Sequence, residues 1–122
     1  MKPRIAFGCL FIYGCDSSEY GFAENIKPII EQECVYCHNP NLAEGELDLV
    51  TDPYSTLLEN ESSQSDYPLI TPENHLESYL WHKLNGTQSL AGGSGTRMPL
   101  DKGMNSELAD EVQVWIDLGA LP

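Results

Sequence analysis

The run Cys34-Val-Tyr-Cys37-His38 constrains this chain more than any other feature in it. Two cysteines three residues apart on a helix-end turn can both reach one side of a porphyrin. An imidazole directly after the second then falls beneath the ring, where a nitrogen can bind iron. Cys-x-x-Cys-His is the attachment spacing of c-type haem. A structural disulfide between Cys34 and Cys37 is a rival reading, but it gives no reason for His38. A thioredoxin-like redox pair would need a βαβ setting, and no strand pattern surrounds the motif. Structural zinc would need about four ligands, and no second cysteine pair is present to complete the set. The expected cofactor is one covalently bound haem c.

The start of the chain reads as an address. Lys2 and Arg4 precede Ile5–Tyr13, a run without charge that has the layout of a secretory signal. The run is too short to stay as an anchor, because a membrane-crossing helix needs about 20 apolar residues. Ile12-Tyr13-Gly14-Cys15-Asp16 resembles the lipobox of bacterial lipoproteins, which implies acylation of Cys15 and cleavage before it. The expected organisation is a signal at 1–14, a tether at 15–21 and one domain at 22–122. The expected location is the periplasmic side of a bacterial membrane, lipid-anchored, with a soluble periplasmic protein as the alternative. Membrane contact is through the lipid only.

Charge excludes other partners. The chain has 6 Lys+Arg against 19 Asp+Glu, a net −13, and loss of Lys2 and Arg4 leaves 4 against 19, or −15. No basic face can be assembled for nucleic acid or anionic lipid. With 41% hydrophobic residues the core is adequate but small, so a cofactor adding apolar area would help the fold.

Helical spacing dominates the rest. Phe22, Ile26, Ile29, Ile30 and Cys34 predict a helix over 23–34, with an irregular first turn near Pro28. Asp52-Pro53 predicts a cap and first turn for a helix over 53–59, and 60–66 is polar loop. Thr71-Pro72-Glu73, or the capping box Asn74-x-x-Glu77, opens another helix with a buried stripe of Leu76, Tyr79, Leu80 and Leu84, ended by Gly86. Gly86–Gly95 reads as a flexible loop. A last helix starts at Asn105, buries Leu108, Val112, Trp115 and Ile116, and ends at Gly119. The fold class is all-α: about four helices whose long loops are tolerable if they pack on something that is not polypeptide.

Taken together, Ile26-x-Pro-Ile, Cys34-x-x-Cys37-His38, Glu77-Ser-Tyr-Leu80, Gly95-Thr-Arg-Met98-Pro99 and Trp115-Ile-x-x-Gly119-Ala120 resemble class I c-type cytochromes over most of 22–120. The resemblance implies a cytochrome c-like fold whose terminal helices cross. It also implies thioethers at Cys34 and Cys37, His38 as proximal ligand, and Met98 delivered by a loop as distal ligand. Nothing in the sequence identifies the carbonyl that orients the proximal imidazole.

Met98 has rivals in Met104, His75 and His82. Pro99 disfavours helical backbone at Met98, which suits presentation from a loop, and thioether sulfur is a soft ligand suited to iron. Met104 precedes the expected cap at Asn105, where an apolar residue packs on the helix. The two histidines read as solvated or hydrogen-bonded side chains. Tyr36, Tyr79 and Trp115 read as core or haem-edge packing, Asp110-Glu111 as a solvated face. The expected function is electron transfer by a monomeric, non-enzymatic carrier cycling Fe(III)/Fe(II) and docking a basic redox partner. The alternative is a small-ligand (CO, NO or O2) sensor or peroxidase-like protein whose distal Met98 can be displaced.

Overall fold

A computed structural model describes residues 20–100 and 106–122. The expected signal at 1–14, Cys15 and most of the expected tether at 15–21 lie outside the described residues, as do Met104 and Asn105. Among the described residues four α-helices form the frame: α1 (Lys27–Glu33), α2 (Pro53–Glu59), α3 (Tyr79–Asn85) and α4 (Ser106–Asp117). Among the described residues there is no strand, only an isolated bridge between Glu61 and Pro68. The fold is all-α and cytochrome c-like.

The irregular start of the first helix takes a definite form. Phe22–Ile26 is a turn of π type, in which the Lys27 N–H reaches back five residues to the Phe22 carbonyl. Pro28 follows at the second position of α1. It has no N–H to give, so regular helix geometry is established only beyond it. Phe22 and Ile26 are buried, and the Phe22 ring packs 5.7 Å from Trp115 and 5.3 Å from Tyr54.

The expected stripe of α4 is the core: Trp115 and Ile116 are fully enclosed, with Leu108 and Val112 buried beside them. The chain end folds back over this helix. Trp115 Nε1 donates to the Leu121 carbonyl at 2.9 Å, Tyr54 Oη to that of Ala120 at 3.0 Å, and the Phe22 N–H to that of Leu121 at 2.9 Å. The terminal elements are therefore joined by packing and by hydrogen bonds.

The third helix differs from the expectation. Asn74 Oδ1 does accept from the Glu77 N–H, as the capping box requires. However, the turn it caps is a single 3-10 turn, His75–Glu77, and Ser78 is extended before α3 begins. The buried Ser78 hydroxyl takes the Thr71 N–H at 2.8 Å and donates to the Asn74 carbonyl at 2.8 Å, which stabilises the break. The interruption turns Leu76 outward, 57% exposed, so it is not part of the stripe. Tyr79 and Leu84 are buried as expected, and Gly86 closes α3 at φ +78°, a left-handed conformation suited to glycine.

Candidate haem site

The thiols are set by the way α1 ends. The N–H groups of Cys34 and Val35 both return to the Ile30 carbonyl, and those of Cys37 and His38 return to the Cys34 carbonyl at 3.3 and 3.0 Å. One tight turn thus carries both cysteines and delivers His38 directly after them. Both thiols are free. Burial, and then the neighbouring Glu33 carboxylate, push the Cys34 thiol up to about 11. It is a neutral thiol at ordinary pH.

The carbonyl that sequence could not supply is that of Glu44. It lies 2.8 Å from His38 Nδ1, and a carbonyl can only accept, so Nδ1 carries the proton. Nε2 is left as the nitrogen with a lone pair for a metal. The loop that brings Glu44 round is held at both ends. Asn39 Oδ1 accepts from the N–H groups of Asn41 and Leu42, and its Nδ2 donates to the carbonyls of Val35 and Tyr36. The Leu49 N–H closes on the His38 carbonyl at 2.9 Å. By sequence alone Asn39-Pro40-Asn41 is a break in the chain. The usable signal was Asn39 itself, whose short amide can satisfy several backbone groups of a following turn.

Cys34, Cys37, His38 and Met98 line one cleft of about 900 Å³. That is within the usual span of a cofactor site. Leu47, Leu49, Leu69, Leu80 and Leu84 make an apolar wall, and Asn60–Gln64 form part of the rim. Ser63 Oγ ties that rim to the Gly45 carbonyl at 3.0 Å. Met98 is half-buried against the core, and its N–H donates to the Lys83 carbonyl at 3.0 Å. The loop leading to it is more ordered than its glycines suggest: Gln88–Ala91 is a 3-10 turn, and Gln88 Nε2 donates to the Gly95 carbonyl at 3.0 Å. Gly93 is needed for contact, because a Cβ there would collide with the Tyr79 ring.

The rival histidines are engaged elsewhere. His82 is buried, with Nε2 donating to the Leu76 carbonyl and Nδ1 accepting from Thr87 Oγ1, both at 2.8 Å. His75 Nδ1 sits 2.9 Å from Asp117, and its ring packs edge-on to Trp81. Neither lines the cleft. Among the described residues there is no group of three or more His, Cys, Asp or Glu suited to a metal ion.

Two free thiols, an imidazole with Nδ1 bonded and Nε2 left open, and an apolar wall fit a covalently bound haem. An all-α fold built around such a cleft defines a cytochrome c-type domain. The family described as Planctomycete cytochrome C matches residues 34–99, 66 of the 122, and the chain belongs to that family. The match runs from the first thiol through Met98-Pro99. Membership brings covalent haem c and haem-based electron transfer. No curated protein and no solved structure matches the chain.

Proposed function

We propose that this is a monohaem, class I electron carrier with His38 and Met98 as axial ligands, tethered to the periplasmic side of a bacterial membrane through lipid on Cys15. The observation that carries it is the convergence of Cys34, Cys37, His38 and Met98 on one cleft, with Glu44 fixing the imidazole. Haem supplies the Fe(III)/Fe(II) couple. Cys34 and Cys37 hold it covalently, and His38 offers Nε2 from an orientation set by the Glu44 carbonyl. Met98 offers a neutral thioether, which favours the ferrous state and raises the potential. The leucine wall would give the haem a low-dielectric cover on that side. If His38 and Met98 both held the iron, no position would be left for a substrate, so no catalytic step is expected. The lipobox and leader support the tether, and the net −13 supports a partner with a basic docking face.

Met98→Leu beside Met104→Leu tests the ligand set. The weak far-red absorption of ferric haem bound to thioether should vanish only in Met98→Leu, and ferrous CO binding should accelerate there. Loss of the band in Met104→Leu alone would reassign the ligand. Rapid, complete CO binding by the parent would favour the open-iron sensor.

A further inference from the structure

Lys83 is the only cation among the described residues lining the cleft, and the same lining carries Glu33, Glu44, Glu46 and Glu61. In a chain with 19 Asp+Glu its ammonium is nevertheless bonded to neutral oxygens. Nζ donates to the Ser94 carbonyl at 3.0 Å and to Gln64 Oε1 at 3.4 Å, and Gln64 Oε1 also accepts from Tyr79 Oη at 2.8 Å. Gly95 lies close over it, with room for a Cβ only 3.2 Å from Nζ. The ammonium is half-buried, and that burial draws its pKa down. A lysine ammonium has three N–H donors. Two are used by Ser94 and Gln64.

Haem brings two carboxylates into this setting. Placed beside four glutamates in a partly desolvated cleft, they meet like charge where screening is poor. A cation on the cleft lining, with one donor left, meets that requirement with a charge-assisted hydrogen bond. We propose that Lys83 anchors one haem carboxylate, so that a single side chain joins the haem, the rim at Gln64 and the loop that carries Met98. This rests on the haem reading above. Lys83 is a positioning residue: it sets the charge beside the iron and holds the loop through Ser94.

The test uses purified holoprotein and its K83M, K83Q and K83R variants. Pyridine haemochrome analysis of the parent comes first, since absence of haem c there overturns the haem reading itself. With haem c present, K83M should shift the propionate bending bands in the resonance Raman spectrum. It should also move the midpoint potential negative at fixed pH and ionic strength, because lost positive charge favours ferric iron. K83R should return both towards the parent. Bands and potential unchanged in K83M overturn the proposal, even if melting temperature or CO rate changes, since a purely structural clamp would alter only those. If K83M does not load haem, K83Q carries the same comparison. Loading by K83R alone supports a required cation, and loading by none of the three indicates a structural role and overturns the proposal.

Discussion

His82 shows how a side chain suited to iron is made unavailable to it. Both ring nitrogens are satisfied, one by the Leu76 carbonyl and one by the Thr87 hydroxyl, and the ring is buried between Tyr67 and Trp81. Its role is to join the 3-10 turn before α3 to the turn after it. His82→Leu should therefore cost about 1–3 kcal/mol, the penalty for leaving buried polar partners unpaired. The ferric far-red band should be unchanged. Denaturant unfolding beside the visible spectrum checks both, and loss of the band with retained stability would make His82 a ligand. His38 is the reverse case. One nitrogen is bonded to Glu44 and the other is free to bind, a difference set by the partner each ring was given and not by the residue type.

At the scale of elements, legibility followed the range of the forces involved. Helix α2 begins and ends where Asp52-Pro53 and the following polar run indicate, because its cap is local: Asp52 Oδ1 accepts from the Ser55 N–H. The stripe of α4 was equally readable from spacing alone. The break at Ser78 was not, because it depends on Thr71, seven residues away, as well as Asn74. The Glu44 carbonyl and the Lys83 corner were hidden for the same reason: backbone carbonyls carry no residue signature, and Gln64, Lys83 and Ser94 meet only in the fold. Another long-range contact links Tyr20 to α4, where its hydroxyl donates to the Glu111 carboxylate. Burial, then that hydrogen bond and charge, raise the tyrosine above its ordinary 10. Since the folded value is the higher one, the contact stabilises the protein fully below about pH 10 and is lost as pH rises further. Tyr20→Phe should lower the melting temperature at neutral pH, with the gap to the parent closing in alkali. A gap constant across that range would mean that the ionisation of Tyr20 is not linked to folding.

The whole molecule depends on what the cleft contains. Among the described residues, short helices and long connections leave leucines facing a space of about 900 Å³, and a chain of this size has little other apolar area to bury. Cofactor binding that occurs only in the folded state adds directly to stability. Net charge of −13 opposes compaction and favours solubility, which makes that contribution more necessary. The most direct measurement is intact mass and a pyridine haemochrome spectrum of the denatured, acid-extracted chain, beside a Cys34→Ala/Cys37→Ala variant. The parent should retain one haem on the polypeptide with the spectrum of two saturated vinyl groups, while the variant should release any haem and show little cooperative melting. Haem extracted freely from the parent, or a haem-free double variant with native helicity and a sharp melt, would contradict the account.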